Sequence, residues 1–186
     1  MATLLTASAA DRARISDNIT YHPNWPVPGV LFADVFPLLR SPALFELVLG
    51  ILEGGLRAHF PTATVLVGLD ARGFLFAPPL ALRLGLRFAP ARKAGKLPGP
   101  CATTSYALEY GAATLEMQRK SVLAGDRAVL VDDLLATGGT LRAAAELVRA
   151  CGAEVLGAVV VAEVPGLGGA AATGVPVHTL LQLRGE

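Results

Sequence analysis

The chain has 186 residues, of which 53% are hydrophobic and 17% charged, and its formal net charge at pH 7 is +1. This length and composition predict one α/β domain with small additions and a substantial core, and they exclude a disordered chain. The near-neutral charge gives no general attraction to nucleic acid or to an anionic membrane, so we expect neither as a partner.

Targeting signals and metal-ligand spacings are absent from the sequence. No apolar run approaches the roughly 20 residues that span a bilayer, and no basic start with an apolar core indicates a secretory signal, so we expect a cytoplasmic protein. Cys101 and Cys151 lack any Cys-x-x-Cys arrangement and are expected to be free thiols. His22, His59 and His178 are scattered, and no role is assigned to them.

The N-terminal part, residues 1–37, has the character of an arm. A short helix is expected over about residues 9–15, and the prolines that follow favour extended or turn backbone. Ser41 and Pro42 are typical of a helix start, and apolar residues at helical spacing continue to residue 52. Gly54 and Gly55 are expected to stop or loosen this helix.

Strands then alternate with helices, which predicts crossover connections and a parallel sheet. Residues 105–118 differ, because two arms flank Gly111 and the second alternates polar with apolar residues, which predicts a solvent-exposed hairpin. The other predicted elements are a strand at 63–69, a helix at 74–84 whose start is blurred by Pro78 and Pro79, a strand at 88–91, a strand at 128–131, a helix from 141 that ends at Gly152, a strand at 155–161, a loop at 165–174 and a strand at 177–183.

The most informative stretch is residues 129–140, where two acids and a glycine-rich turn follow a buried strand. Asp132 and Asp133 fall at the carboxyl end of the predicted strand, and a helical pattern begins after the turn. The small or hydroxylated turn residues are Ala136, Thr137, Gly138, Gly139 and Thr140. A strand, loop and helix start of this kind binds phosphate, and adjacent carboxylates accept hydrogen bonds from sugar hydroxyls. The stretch therefore predicts a ribose phosphate site.

A nucleotide triphosphate loop is the obvious alternative for this stretch. It is discarded because no lysine precedes Thr140 and the Walker spacing is absent. Residues 129–140 instead resemble the motif that binds phosphoribosyl pyrophosphate (PRPP) in the type I phosphoribosyltransferases.

Four further stretches narrow this resemblance. Residues 28–34, 68–74, 92–99 and 105–111 resemble, in order and spacing, the adenine phosphoribosyltransferase family. The resemblance implies the type I phosphoribosyltransferase fold, an α/β fold with a mostly parallel central sheet flanked by helices, a small hood and a flexible hairpin. It also implies that residues 1–37 form an N-terminal arm and base-binding hood, and that residues 38–186 form the core, including the flexible hairpin at 101–119.

Two basic regions are candidates for binding pyrophosphate. Asp70, Ala71, Arg72 and Gly73 offer backbone amides and a guanidinium, whose geometry suits multidentate phosphate contacts, although Arg72 taken alone could be an ordinary surface residue. The resemblance implies that this loop holds the departing pyrophosphate, that Arg72 takes part in catalysis and that the Asp70–Ala71 peptide is cis.

The second basic region lies just after the strand predicted at 88–91. Arg92, Lys93 and Lys96 alone would be interpreted as a solvated cluster, but beside a pyrophosphate they would neutralise its charge. Similarity to the family implies that some of them act across the interface of a homodimer.

Glu109 lies between two tyrosines in the predicted hairpin. A glutamate in an exposed turn is usually just solvated. The resemblance instead implies a loop that closes over the site and excludes water, with Glu109 as the acid/base group near the purine imidazole ring.

Leu31, Phe32 and Ala33 resemble the segment that walls the adenine ring and contacts its amino group through the main chain, although Phe32 could equally be core packing. Ala33 departs from the family, which commonly has arginine there, so base binding could be weaker or shifted. Ala136 occupies the position where the 6-oxopurine enzymes carry an aspartate, which disfavours hypoxanthine and guanine.

The resemblance implies transfer of the phosphoribosyl group from PRPP to adenine, giving AMP and pyrophosphate. Asp132 and Asp133 would hold the ribose hydroxyls, and Mg²⁺ would be held mainly by substrate oxygens and water rather than by protein ligands. One alternative is transfer to another purine or a pyrimidine. Another is a PRPP-sensing regulator, which is disfavoured because only about thirty residues precede the matched region and would have to form a DNA-binding domain.

Overall fold

The computed structural model describes residues 1–107 and 112–183. Its strands are β1 (Thr3–Leu4), β2 (Thr20–Pro23), β3 (Leu31–Asp34), β4 (Val65–Leu69), β5 (Arg87–Lys93), β6 (Cys101–Ala107), β7 (Ala112–Gln118), β8 (Arg127–Leu135), β9 (Glu154–Glu163) and β10 (Val177–Gln182). The α-helices are α1 (Ala9–Ser16), α2 (Pro42–His59), α3 (Gly73–Leu84), α4 (Gly139–Ala150) and α5 (Gly169–Ala172), with a 3₁₀ turn over Phe36–Leu39.

Eight strands form the main sheet in the order β1-β10-β9-β8-β4-β5-β7-β6. The pairs from β1 to β5 are parallel, whereas β5 with β7 and β7 with β6 are antiparallel. β2 and β3 form a separate antiparallel pair. The predicted α/β class and the mostly parallel central sheet are confirmed.

β8 lies inside the sheet, and its alternate residues pack into two hydrophobic cores, one on each face of the sheet. Val129 and Val131 pack with α2 and α3 on one face, and Ala128 and Leu130 pack with α4 on the other. Since successive strand residues point to opposite faces, apolar residues in a row are what a strand covered on both faces needs. This burial fixes the register of the acids that follow.

α2 runs through the two glycines that were expected to end it, and stops only at His59. A Cβ placed on Gly55 would lie 2.4 Å from Leu5 Cδ2. Gly55 therefore allows close packing of the N-terminal segment against α2, and the prediction that the pair ends the helix is wrong. α3 likewise contains Pro78 and Pro79 within its span, held by the burial of Phe76 and Leu80 on either side of them.

Several elements differ from the sequence-based predictions. β1 extends the main sheet at one edge, and a short helix, α5, lies inside the predicted loop at 165–174. The hairpin stem of β6 and β7 joins the other edge of the sheet, and Leu115 and Met117 are buried there, so this stem is not simply solvent-exposed. No helix within residues 1–107 and 112–183 is long and apolar enough to cross a membrane.

Candidate active site

The acid pair lies on β8, where Asp132 and Asp133 are three and two residues before the last residue, Leu135. β8 was predicted to end at residue 131 but continues to Leu135, so Asp132 and Asp133 are strand residues near its carboxyl end. Because a strand alternates its faces, the two side chains diverge: Asp133 is only 3% exposed and Asp132 is half-buried. Asp132 Oδ1 accepts the backbone N–H of Asp133 at 2.9 Å.

Burial controls the acidity of both groups. It raises the pKa of Asp132 well above its ordinary value, and the neighbouring Asp133 charge raises it further. Burial also raises the pKa of Asp133, although the Arg72 guanidinium opposes that rise. Two acids whose ionised forms are disfavoured by burial are stabilised by nearby positive charge, so this position on the sheet is complementary to a cation.

Arg72 brings the second loop to the acids. It immediately precedes α3, and its Nε lies 2.9 Å from Asp133 Oδ2, while its guanidinium carbon lies 5.0 Å from the Phe32 ring centroid. Nη1 of Arg72 is buried and finds no hydrogen-bond partner among the described residues. An unpaired buried donor beside two loops is what a site for an anionic ligand would contain.

The loop that carries Arg72 approaches β8 closely because of a glycine. A Cβ on Gly73 would lie 2.5 Å from the carbonyl oxygen of Val131. The Asp70–Ala71 peptide is cis, as predicted, and Asp70 Oδ2 forms an ion pair with Arg92 Nε at 3.0 Å. The first and second basic regions are thus connected through Asp70 and Arg92.

Lys93 and Lys96 belong to the second basic region and both are exposed. Lys93 ends β5, and Lys96 lies in the turn that follows. Arg92 Nη1 donates to the carbonyl oxygen of Lys96 at 3.4 Å. No carboxylate of residues 1–107 or 112–183 forms a salt bridge with either ammonium group.

The glycine-rich turn after β8 leads directly into α4. Gly138 has a φ of +82° and precedes the helix, whose N-terminal backbone N–H groups favour an anion. A Cβ on Gly138 would lie 2.3 Å from the carbonyl oxygen of Gly169, and a Cβ on Gly169 would lie 2.0 Å from that of Ala136. The predicted phosphate residues Ala136, Thr137 and Gly138 therefore form the turn, which packs against the start of α5, and Gly139 and Thr140 are the first residues of α4.

An apolar cavity of about 510 Å³ lies between the β2–β3 hairpin and this turn. All three predicted base-binding residues, Leu31, Phe32 and Ala33, line it, and so does Ala136. The remaining lining residues are Tyr21, Gly29, Val30, Leu134, Val164, Pro165, Gly166, Leu167 and Leu183. A mostly apolar cavity with a few polar groups suits an aromatic base.

Phe32 and Ala33 occupy different environments in this wall. Phe32 is half-buried, with the Trp25 ring edge-on at 4.3 Å between centroids, so it is more than a core residue. Ala33 is 3% exposed and packs into the main core. A long cationic side chain at position 33 would have to leave that packing.

Some wall residues escaped sequence-based prediction. Residues 164–167 lie in a loop rich in glycine and alanine. Trp25, which packs against the lining residue Phe32, lies in the proline-rich arm. Their only signal was proximity in sequence to the carboxyl ends of strands, where ligands bind in parallel sheets.

Glu109 lies outside the described residues, so its position relative to the cavity stays a prediction. The hairpin stem on either side of it pairs Ala107 with Ala112. His59 and His178 stack with 3.9 Å between their ring centroids. His178 is the second residue of β10 and therefore lies near the amino ends of the parallel strands, opposite the acid pair. Within the described residues no group of three or more His, Cys, Asp or Glu could hold a metal ion.

Comparison with known proteins agrees with this geometry. Residues 38–172 match the phosphoribosyl transferase domain family. The chain is 47% identical over 165 residues to an adenine phosphoribosyltransferase of Streptomyces galbus, which covers 86% of this chain and 90% of the relative.

Solved structures are equally similar. An adenine phosphoribosyltransferase of Saccharomyces cerevisiae, complexed with an imino-altritol bisphosphate and adenine, matches with a TM-score of 0.90 and 41% identity, over 94% of this chain and 100% of that one. An adenine phosphoribosyl transferase of Trypanosoma brucei, in complex with AMP, pyrophosphate and ribose-5-phosphate, matches with a TM-score of 0.87 and 26% identity, over 98% of this chain and 85% of that one.

Proposed function

The chain belongs to the adenine phosphoribosyltransferase family, and on that premise we propose that it transfers the 5-phosphoribosyl group of PRPP to adenine, giving AMP and pyrophosphate in purine salvage. The observation that carries this proposal is that three features adjoin at the carboxyl ends of the parallel strands. They are a mostly apolar cavity, the acid pair Asp132 and Asp133, and the glycine-rich turn, and Ala136 belongs to both the cavity and the turn. These features correspond to the base, ribose and 5′-phosphate of a nucleotide.

We assign the parts of PRPP by charge. The amides of residues 136–140 and the N-terminus of α4 would hold the 5′-phosphate, since aligned backbone N–H groups favour an anion. Asp70, Ala71, Arg72 and Gly73 would hold the pyrophosphate, with Arg92, Lys93 and Lys96 reducing its charge. Arg72 suits this role because it already lies at the junction of the two loops, 2.9 Å from Asp133.

Asp132 and Asp133 would accept hydrogen bonds from the ribose hydroxyls and stabilise positive charge on the sugar. Departure of pyrophosphate breaks the bond from C1′ to its oxygen and leaves an oxocarbenium-like ribose, which a purine nitrogen then attacks. Buried carboxylates with raised pKa values are stabilised by a neighbouring cation, so they favour the transition state more than the neutral sugar.

Glu109 would exchange the purine proton at the imidazole ring while the hairpin covers the site. This role rests on the resemblance alone. Glu109→Gln is therefore expected to lower kcat with little change in either KM, and wild-type turnover in that variant would remove Glu109 from the mechanism.

Adenine is favoured over the 6-oxopurines by the chemistry of the cavity. Ala136 contributes an apolar surface where an aspartate would be needed to contact a 6-oxopurine. The main chain of residues 31–33 would contact the adenine amino group, so the substitution of arginine by Ala33 is compatible with adenine recognition through the backbone.

Magnesium is proposed to enter with PRPP. The donor set fits an ion held by the substrate, because Mg²⁺ commonly uses one or two carboxylates together with phosphate oxygens and water. Asp132 and Asp133 are the carboxylates that could contribute. Bound Mg²⁺ would neutralise part of the pyrophosphate charge.

We also propose that the enzyme is a cytoplasmic homodimer, in which some of the basic residues serve the partner's site. Residues 1–37 would form the arm and base-binding hood and residues 38–186 the core. Light scattering coupled to size exclusion would test the dimer, and a monomer at assay concentration would contradict it.

The function is tested by incubating the pure protein with PRPP, Mg²⁺ and a panel of bases while nucleotides are separated by chromatography. We expect AMP from adenine at a rate well above that of any other nucleotide. Formation of a nucleotide from another purine or a pyrimidine, without AMP from adenine, would contradict the assignment of adenine as the substrate.

A further inference from the structure

Glu116 is a buried acid next to the basic turn and has no part in the chemistry described above. It lies on β7, opposite Arg92 of β5 and Thr103 of β6, and is only 6% exposed. Its Oε1 accepts the backbone N–H of Lys96 at 2.6 Å and that of Leu97 at 2.7 Å. The carboxylate therefore fills the concave side of the turn that carries Lys96.

These contacts fix Lys96 from both sides. Its N–H is bound by Glu116, and its carbonyl oxygen accepts from Arg92 at 3.4 Å. Arg92 in turn forms its ion pair with Asp70 at 3.0 Å. A continuous series of contacts thus joins Glu116 on the edge hairpin to the loop of residues 70–73.

The negative charge of Glu116 opposes the binding of an anion by the adjacent basic turn. A carboxylate next to a basic turn weakens the attraction of that turn for an anion, and burying it costs free energy unless it is well bonded. Backbone hydrogen bonds from residues 95–97 hold the pKa of Glu116 below its ordinary value despite burial, so it is ionised at neutral pH. Such a group is explained if it is needed to shape the turn.

We propose that Glu116 is a positioning residue for pyrophosphate: it holds the turn at residues 94–97 so that the Lys96 and Lys93 ammonium groups meet the leaving group. Glu116 acts through the backbone of the turn and contacts no substrate. This inference rests on the proposed function, which gives the basic turn its ligand.

Two conservative substitutions distinguish the effect of side-chain length at position 116 from the effect of its negative charge. Glu116→Gln keeps an oxygen at the same distance and removes the charge. Glu116→Asp keeps the charge but withdraws the carboxylate by about 1.5 Å, which takes both N–H contacts beyond hydrogen-bonding range. Glu146→Asp is the matched control, because Glu146 is an exposed acid that accepts from Thr104 of the same hairpin.

Binding of inorganic pyrophosphate with Mg²⁺ would be measured by calorimetry, beside KM for PRPP and for adenine. We expect Glu116→Asp to weaken pyrophosphate binding and raise KM for PRPP about tenfold, since displacement of a binding group by about 1 Å has large effects. For Glu116→Gln, pyrophosphate affinity and KM for PRPP should stay within about threefold of wild type, because the amide oxygen still accepts both backbone hydrogen bonds. KM for adenine and the control variant should not change.

Equal pyrophosphate affinity in all four proteins would overturn the proposal, and so would a Gln variant as weak as the Asp variant or an equal rise in KM for adenine. Failure of the proposed function is a separate result. If wild-type protein makes no AMP, the calorimetric comparison still decides whether Glu116 positions an anion-binding turn.

Discussion

Asp133 and Arg72 lie 2.9 Å apart at the point where the sugar and pyrophosphate of PRPP would meet. The Arg72 guanidinium opposes the rise that burial causes in the pKa of Asp133, and the ion pair holds the guanidinium beside β8. The acid pair was predicted from a short apolar run followed by two acids and a glycine-rich turn, whereas the role of Arg72 was implied by the family resemblance of its loop. Their mutual contact was not predictable, since it depends on how β4 and β8 pair.

Arg72→Met tests this coupling through pH. Because Arg72 opposes the rise in the pKa of Asp133, its removal leaves that pKa higher, and ionised Asp133 is lost at a higher pH. The acidic limb of kcat/KM for PRPP should move to higher pH, together with a rise in KM. Arg83→Met is the control, since Arg83 pairs with Glu46 and Glu53 on the surface.

If the acidic limb of Arg72→Met were the same as in wild type and in the control, Arg72 would not determine the pKa of Asp133. The acid pair would then titrate independently of the loop of residues 70–73.

Asp132→Asn should separate stability from activity. A folded-state pKa raised above the unfolded value of about 3.9 makes the ionised acid a cost to folding, absent below the unfolded pKa and fully present above the folded one. The variant should therefore gain stability relative to wild type as pH rises toward neutrality, while it loses activity. Urea denaturation at several pH values measures this.

Asp126→Asn should change the stability of the fold in the opposite direction from Asp132→Asn. Burial opposes ionisation of Asp126, but hydrogen bonds from Leu123, Arg87 and Thr64 outweigh it and lower its pKa. Its ionised form stabilises the fold above the unfolded pKa, so the Asn variant should be less stable than wild type at neutral pH. Equal loss of stability in the two variants would contradict the assignment of Asp132 as a burial-disfavoured acid.

At the scale of elements, the site depends on two close backbone approaches. Gly73 lets the loop of residues 70–73 meet β8, and Gly169 lets the start of α5 meet the turn of residues 136–138. The second contact joins that turn to the loop of residues 164–167 that walls the base cavity. Gly73 was predicted as part of the pyrophosphate-binding loop, but neither close approach was predictable from sequence, because each depends on a backbone segment that is distant along the chain.

Gly169→Ala tests the close contact between the start of α5 and the turn that contains Ala136. Its Cβ would lie 2.0 Å from the Ala136 carbonyl oxygen, so either the turn or α5 must shift. We expect KM for PRPP and for adenine to rise together, by about tenfold, since both walls move. Gly50→Ala is the matched control, because nothing lies within 4 Å of its Cβ position in α2.

If Gly169→Ala left both KM values at the control level, the two loops would be independent. A gain of stability in Gly50→Ala, by about 0.5–1 kcal/mol, is expected from helix propensity and does not bear on the site.

The elements also show where sequence patterns mislead. Gly54 and Gly55 have the signature of a helix end, yet α2 continues past them because Gly55 packs against Leu5. The alternating arm of the hairpin suggested solvent exposure, but its apolar residues Leu115 and Met117 are buried beside α4. Both errors have one cause, since a local pattern does not reveal which distant segment covers it.

In the whole molecule, the order of strands in the sheet determines which loops lie next to one another. Strands β4, β5 and β8 are neighbours, so the loops that follow them converge at one edge although they are separated in sequence. The fold class and this convergence were predictable from alternating strands and helices. The cavity wall was only partly predictable, because it combines the β2–β3 hairpin with residues 164–167 and Leu183 from the far end of the chain.

In the proposed mechanism, the acid pair on β8 stabilises the ribose cation during transfer to adenine. The most direct measurement follows AMP and pyrophosphate formed from PRPP, Mg²⁺ and adenine by wild-type protein and by Asp133→Asn, with pyrophosphate binding measured in parallel. We predict equal amounts of the two products from wild type and a fall in kcat of about a hundredfold or more in the variant, with pyrophosphate still bound. Wild-type turnover in Asp133→Asn would contradict the account.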